Sequence, residues 1–170
     1  MAAIGDPVRR DLIALLPRLR RFARSLTRSA DQADDLVQNA LERALRNLDG
    51  WTPGTRLDSW MFRIMKNCWI DEIRSKTVRD RVLAPEEAGA AVGADGAMAM
   101  EHFLEAQAVR EAMNTLPEEQ RLAVALVLVE GFSYREAADM LEVPIGTLTS
   151  RLARGRAAIE LKLNPRAEDA

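Results

Sequence analysis

The regular spacing of apolar residues is the feature that most limits what this chain can fold into. Apolar side chains recur every three or four positions, which is the spacing of one buried stripe on an α-helix. The first stripe consists of Val8, Leu12, Leu15, Leu19, Phe22 and Leu26. No segment shows the alternation of apolar and polar residues that is typical of a half-buried strand. The sequence therefore predicts an all-α fold.

Three helical segments are expected before residue 82. Pro17 interrupts the first stripe, and a proline there either kinks one helix or opens a second one at its first turn. A second helix is predicted to start near Asp31 as its N-cap. Residues 49–55 are rich in turn residues and form a loop that displays the Trp51 ring. Ser59 is then predicted to cap a third helix, which buries Met61, Ile64, Met65 and Cys68 on one side.

A change in composition divides the chain. Residues 82–100 are rich in alanine and glycine and show little periodicity, so they predict a flexible, acidic linker. The expected organisation is two small helical domains, at residues 1–81 and 101–165, on either side of it.

The C-terminal domain is predicted to begin with two helices. The buried side of the fourth helix consists of Phe103, Ala106, Val109, Met113 and Leu116. Pro117 opens a fifth helix, with Glu118 and Glu119 in its first turn, and Gly131 ends it.

Residues 133–163 carry the pattern of a helix-turn-helix. Ser133 and Glu136 form a capping box that starts a short helix, and Pro144 lies in the tight turn after it. A basic helix follows, with Leu148, Leu152 and Ile159 facing inward. Its outer face and flanks carry Thr147, Thr149, Ser150, Arg151, Arg154 and Arg156. Because arginine and hydroxyl groups reach base edges and phosphates, this helix is predicted to read a major groove, the alternative being an ordinary hairpin with a solvated basic face.

Basic residues are concentrated in three blocks, although the formal net charge is −2. Residues 9–28 contain seven arginines and one aspartate, and residues 151–166 contain five basic residues and one glutamate. Residues 63–81 contain six basic and three acidic residues. Blocks of this kind set where a phosphate backbone can dock even when the total charge cancels.

Tryptophans accompany the middle basic block. Trp60 and Trp69 fall within the third helix, together with Arg63, Lys66 and Asn67. Rings that stack on bases and cations that contact phosphates suit single-stranded DNA, whereas core packing is the commoner role of a tryptophan. Both interpretations stay open for these rings.

Several classes of protein are disfavoured by what the sequence lacks. A single cysteine excludes an internal disulfide, and a single histidine leaves no cluster of metal ligands, so no metal and no cofactor are expected. The longest apolar run, residues 122–129, is far shorter than the roughly 20 residues of a membrane span. No secretory signal is visible, so we expect a cytoplasmic protein without membrane insertion. Without a nucleophile–base pair or a phosphate-cradling glycine loop, an enzyme with catalytic residues is not expected.

The chain resembles bacterial sigma factors of the extracytoplasmic-function (ECF) type. Their N-terminal domain is similar to ADDLVQNALERALRN and LDSWMFRIMKNCWIDEIR, and their C-terminal DNA-binding region is similar to FSYREAADMLEVPIGTLTSRLARGRAAI. The resemblance spans residues 8–163 in the family's order and spacing, and RSLTRSADQADDLVQNALERALRNLDGWTPGT also resembles the general stress-response branch. It implies a two-domain initiation factor that binds core RNA polymerase, recognises a promoter and helps to melt it.

The resemblance also implies three binding surfaces. Docking on the polymerase β′ clamp helices is implied for Asp35, Leu36, Gln38, Asn39, Glu42 and Arg43. Recognition of the minus-ten element, with a flipped base, is implied for Trp51, Trp60, Arg63, Lys66, Asn67 and Arg74. Recognition of the minus-thirty-five element is implied for Thr147, Thr149, Ser150, Arg151, Arg154 and Arg156. Thr149 stands where many relatives carry a basic residue.

The implied partners are core RNA polymerase, through its β′ clamp helices and β flap, promoter DNA, and an anti-sigma factor. One alternative is a sigma-like decoy or adaptor that binds an anti-sigma factor without binding DNA, and the arginine face of the last helix argues against it. Another is a stand-alone helix-turn-helix regulator that works as a dimer. That alternative would need a ligand or dimerisation domain in the first 80 residues, where no pocket chemistry is visible.

Overall fold

The computed structural model describes residues 6–80 and 97–165, and the regular elements in these two ranges are all helical. They are α1 (Asp6–Leu26), α2 (Ala30–Arg46), α3 (Leu57–Asp80), α4 (Ala97–Asn114), α5 (Glu118–Val124), α6 (Tyr134–Leu141) and α7 (Ile145–Leu163). A 3₁₀ turn at Leu48–Gly50 follows α2, and a π-helical turn at Ala125–Val129 continues α5. The predicted all-α fold is confirmed. Across the described ranges, no helix has the length and apolarity needed to cross a membrane.

The starts of the N-terminal helices differ in detail from the prediction. Pro17 lies inside one continuous α1, which decides between the two alternatives that the sequence left open. Ser29, not Asp31, caps α2, because its hydroxyl accepts the Gln32 N–H at 3.2 Å and leaves Asp31 in the first turn. Ser59 is not a cap either, since α3 already begins at Leu57.

The C-terminal helices follow the predicted boundaries more closely. Pro117 precedes α5, and the Ser133 capping box starts α6. The fourth helix begins at Ala97, inside the segment predicted to be linker. The rest of that predicted linker, up to residue 96, lies outside the described residues.

The core runs through both halves of the chain. In the N-terminal half, α1–α3 bury Leu19, Phe22, Leu36, Phe62 and Met65 completely. In the C-terminal half, Leu148 and Leu152 of α7 are buried, together with Leu126 of the π-helical turn.

Three phenylalanines join the two halves. The Phe62 ring lies edge-on to Phe22 at 5.0 Å and to Phe132 at 5.1 Å between centroids. Phe132 follows the π-helical turn, so the C-terminal half contributes a ring to a cluster built by α1 and α3. Edge-to-face pairs of this kind add to the hydrophobic gain of burial. The two halves are therefore packed against each other.

Candidate nucleic-acid interface

The unit formed by α6, the turn and α7 is held by local interactions. The Ser133 hydroxyl accepts the Glu136 N–H at 3.3 Å, and the Glu136 carboxylate accepts the Ser133 N–H at 2.8 Å. At the other end of α6, Glu142 adopts a left-handed conformation with φ 57°, and Pro144 then N-caps α7. Because both boundaries are sharp, α7 leaves the turn in a fixed direction. The predicted helix-turn-helix is confirmed.

Helix α7 has a buried face and an exposed basic face. Leu148, Leu152 and Gly155 are buried against the rest of the half. A Cβ atom on Gly155 would lie 2.8 Å from Val124 Cγ2, so only glycine allows α5 and α7 to approach this closely. Arg154 is exposed on the opposite side, and Arg156 is exposed on the flank of the helix.

A cleft of about 450 Å³ lies beside the exposed face of α7. It is lined by Pro117, Glu119, Gln120, Gly146, Thr147, Ser150, Arg151 and Arg154. Four of the six residues predicted for the minus-thirty-five element therefore meet in one place. Arg151 donates to Glu119 across 2.8 Å, so α5 fixes the direction of this guanidinium. The sequence pattern missed Glu119, since a first-turn glutamate is already explained by the helix dipole.

The other two predicted residues of α7 lie outside the cleft. The Thr149 hydroxyl is exposed but donates to the Ile145 carbonyl at 2.9 Å, within its own helix. The Arg156 guanidinium lies 4.0 Å from the Glu160 carboxylate. Both side chains still reach solvent on the basic face.

Helix α3 presents a polar face to solvent. Arg63, Asn67 and Arg74 are exposed, and their spacing of four and seven residues places them on one side of the helix. Lys66 is on a neighbouring face, where its side chain is only 5% exposed and its Nζ lies 3.5 Å from the Glu142 carboxylate. Arg63 also reaches the C-terminal half, through a 3.5 Å hydrogen bond to the Asp139 carbonyl.

The tryptophans divide between core and surface. Trp69 is buried in the core, so packing explains it, whereas Trp60 is half-buried next to the exposed face of α3. Trp51 is also half-buried, and its Nε1 is buried with no hydrogen-bond partner within the described part of the chain. The loop therefore holds the Trp51 ring partly inward and does not display it fully.

Helix α2 carries a strip of exposed polar residues. Asp35, Gln38, Asn39, Glu42 and Arg43 are exposed along this strip. Arg43 pairs with Asp71 at 3.0 Å, and Asn39 donates to Glu72 at 3.3 Å, so α3 supports one edge of it. Leu36 differs from its predicted neighbours because it is completely buried in the core. In this arrangement Leu36 supports the strip from beneath and offers no surface to a partner.

A buried carboxylate connects the two halves. The Glu130 side chain is fully buried and accepts hydrogen bonds from Arg21 Nε and Nη2, both at 2.9 Å. Arg18 Nε adds a third bond at 3.2 Å. Charge-assisted bonds of this kind are among the strong ones, and they compensate for the cost of burying the carboxylate.

A second set of ion pairs continues from the same arginine. Arg18 Nη1 donates to Asp58 at 3.1 Å, and Arg56 binds both Asp58 and the Glu136 carboxylate of α6. Burial alone would raise the pKa of Asp58, but bonds from Arg56, Arg18 and the Ser59 N–H lower this pKa to about 2. The N-terminal half thus keeps Asp58 ionised beneath Arg56, which faces the C-terminal half.

Arg121 is a further connection that no sequence pattern indicated. Its guanidinium donates to the carbonyls of Leu26 at 2.9 Å, Asn114 at 2.8 Å and Leu116 at 3.2 Å. Burial lowers the pKa of Arg121 below its ordinary value. These carbonyls lie at the C-terminal ends of α1 and α4, where a helix leaves its last carbonyl groups without partners. The Arg121 guanidinium supplies hydrogen bonds to them.

The described residues contain no group of three metal-ligating side chains. Burial raises the pKa of the Cys68 thiol, in keeping with a core position. The polar interactions described above are therefore made mainly by arginines and carboxylates.

The helical fold and the exposed basic helix of the helix-turn-helix define a DNA-binding protein. The family model for the sigma2 domain of PhyR matches residues 12–66, and the model for region 4 of sigma-70 matches residues 106–159. The ECF RNA polymerase sigma factor EcfG of Rhodopseudomonas palustris strain TIE-1 is 38% identical over 160 residues, which cover 94% of this chain and 87% of that protein. The chain therefore belongs to the ECF sigma factor family of RNA polymerase.

Two further similar proteins agree with this assignment. The ECF sigma factor SigM of Mycobacterium tuberculosis strain H37Rv is 37% identical over 141 residues, or 83% of this chain and 69% of that protein. Among solved structures, the sigma factor RpoE of Bartonella quintana, in complex with the anti-sigma factor NepR, superposes with a TM-score of 0.77 at 33% identity. That match covers 92% of this chain and 96% of the other.

Proposed function

We propose that this chain directs core RNA polymerase to promoters by reading the minus-thirty-five element with α7 and the minus-ten element with α3. The observation that carries the proposal is the exposed face of α7, where Thr147, Ser150 and Arg154 share one cleft. A bidentate arginine contact with guanine discriminates between bases by roughly 1–3 kcal/mol. The exposed row of Arg63, Asn67 and Arg74 supports the second reading surface.

The remaining surfaces are assigned on the same basis. The exposed strip on α2 is the proposed dock for the β′ clamp helices of the polymerase. The β flap of the polymerase is a second proposed contact. An anti-sigma partner is inferred because the similar sigma factor from Bartonella quintana was solved with one. We propose that the protein acts in the cytoplasm and that it does not itself catalyse a reaction. Residues 1–81 and 101–165 are the proposed functional domains, with residues 82–100 between them.

In vitro transcription from a promoter library with bacterial core polymerase tests this function. We expect specific transcripts with the unmodified chain and about five- to 150-fold fewer with Arg154→Ala, because one base contact is lost. Asn67→Ala should reduce transcription by impairing melting, while Arg110→Ala, an exposed arginine of α4, serves as the matched control. Polymerase binding without transcripts would favour the decoy, and no polymerase binding would favour a stand-alone regulator.

A further inference from the structure

The cleft beside α7 has two walls that come from different helices. One wall is the start of α5, with Glu119 and Gln120. The other wall is the exposed face of α7, where Thr147, Ser150, Arg151 and Arg154 follow the spacing of one side of a helix. A ligand that binds this face of α7 therefore also meets the start of α5.

The packing of α5 against α7 opens towards the start of α7. At Gly155 a Cβ atom would lie 2.8 Å from Val124 Cγ2 and 3.5 Å from the Gln120 carbonyl oxygen, so the two helices are in close contact there. At Gly146 a Cβ atom would have open space around it. Arg151 lies between these two points, about one turn before Gly155. Backbone packing therefore sets the width of the cleft at Arg151, and the ion pair between Arg151 and α5 spans it.

The two arginines of the cleft differ in their freedom. The Arg151 side chain is only 21% exposed, and its Nη2 lies 2.8 Å from Glu119 Oε2. Arg154 is exposed and has no ion-pair partner within the described part of the chain. The Glu119 side chain is itself 69% exposed, so it can be replaced without leaving a cavity. Arg151 is therefore directed by a carboxylate, whereas Arg154 can follow a bound ligand.

The direction of a guanidinium decides what it recognises on DNA. A mobile arginine binds the nearest phosphate oxygen, which supplies affinity without sequence information. An arginine that is held in place presents its remaining N–H donors at a fixed position, as contact with the edge of one base requires. The Glu119 carboxylate also offsets the charge that attracts phosphates to Arg151. Both effects favour selective binding over non-selective binding.

We propose that Glu119 is a positioning residue for promoter recognition: it holds Arg151 in the cleft and thereby sets the base preference of α7. The inference rests on the proposed function of α7 and adds to it a residue of α5. Arg151 contacts the DNA, whereas Glu119 acts through Arg151. Without the Glu119 carboxylate, Arg151 binds phosphates as well, and the preference for particular bases becomes weaker.

The test compares substitutions at two neighbouring glutamates of α5. Glu119→Gln removes the carboxylate that binds Arg151 and keeps the size of the side chain. Glu118→Gln makes the same change of charge at an exposed position of the same first turn that does not line the cleft, so it is the matched control. Arg151→Ala, alone and combined with Glu119→Gln, shows whether Glu119 acts through Arg151.

Each variant is assembled with bacterial core polymerase, and the holoenzyme transcribes a promoter that the unmodified chain selects from the library. The positions of the minus-thirty-five element are randomised in turn, and a barcode in the transcribed region identifies each template when the transcripts are sequenced. The measured quantity is the relative yield of transcripts for the four bases at each position. A substitution that only lowers the folded fraction reduces all yields together and leaves their ratios unchanged.

We expect Glu119→Gln to reduce the base preference by about threefold or more at the same positions as Arg151→Ala, and Glu118→Gln to leave every ratio unchanged. In the Arg151→Ala background, Glu119→Gln should have no further effect, because the side chain that it positions is absent. Unchanged ratios in Glu119→Gln would overturn the inference. So would an equal change in Glu118→Gln, or a further change by Glu119→Gln after Arg151 has been replaced.

The same assay separates this inference from the proposed function. Selective transcripts from the unmodified chain, together with unchanged ratios in Glu119→Gln, would leave the proposed function standing and remove the role of Glu119. Polymerase binding without transcripts from the unmodified chain would overturn the proposed function and the inference with it, since α7 would then recognise no promoter.

Discussion

Asp58 shows how one ionised side chain stabilises the N-terminal half. Its pKa lies at about 2 instead of 3.8, because hydrogen bonds from Arg56 and Arg18 outweigh the effect of burial. A folded-state pKa below the unfolded value adds stability at pH values above the unfolded pKa, and this stability is lost as the pH falls towards the folded pKa. The contribution of Asp58 is therefore complete above pH 5 and disappears between about pH 4 and pH 2.

The prediction is that Asp58→Asn lowers the free energy of unfolding by about 2 kcal/mol at pH 6 and by clearly less at pH 2.5. Urea denaturation at both pH values measures the two differences. Asp11→Asn, at an exposed position of α1, is the control and should cost little at either pH. An equal loss for Asp58→Asn at pH 6 and pH 2.5 would show that ionisation of this carboxyl is not what stabilises the fold.

At the scale of single helices, the sequence predicted what local chemistry determines. The stripe on α1, the capping box at Ser133 and the proline before α7 specify their elements without help from the rest of the chain. Choices between nearby caps were not predictable, because Ser29 and Asp31 are both good N-cap residues and tertiary packing selects one. The π-helical turn after α5 left no signal, since its residues are simply apolar.

The contact between α5 and α7 depends on a missing side chain. Gly155→Ala places a Cβ atom against Val124, so we expect a loss of about 1–3 kcal/mol in the free energy of unfolding despite the better helix propensity of alanine. Gly146→Ala, in the first turn of the same helix with open space around it, is the matched control. Its stability should be unchanged or higher. Chemical denaturation measures the free energy of unfolding of both variants, and equal values would contradict close packing at Gly155.

At the scale of the whole molecule, the sequence predicted two domains but not their contact. Apolar periodicity reports which side of a helix is buried, and it does not report which other helix covers that side. From the sequence, Glu130 and Phe132 lie at the end of the fifth helix, inside the C-terminal domain, although both are buried against the other half. The candidate DNA-reading residues could be chosen by type and spacing. That Lys66 would be covered by Glu142 could not, because the two residues are 76 positions apart.

This contact between the halves predicts coupled unfolding. The three tryptophans all lie in the N-terminal half, so tryptophan fluorescence follows that half while circular dichroism follows the helices of both. In the unmodified chain we expect the two urea transitions to coincide, as they do when a protein unfolds as one unit.

The Glu130→Gln variant tests this coupling, because it leaves Arg18 and Arg21 facing a neutral amide. The hydrogen bonds between the two halves become weaker, which should separate the midpoints of the two transitions. Glu160→Gln, which removes an exposed carboxylate of α7, should leave them coincident. Coincident midpoints in Glu130→Gln would mean that the phenylalanine cluster and Arg121 couple the halves without the buried carboxylate.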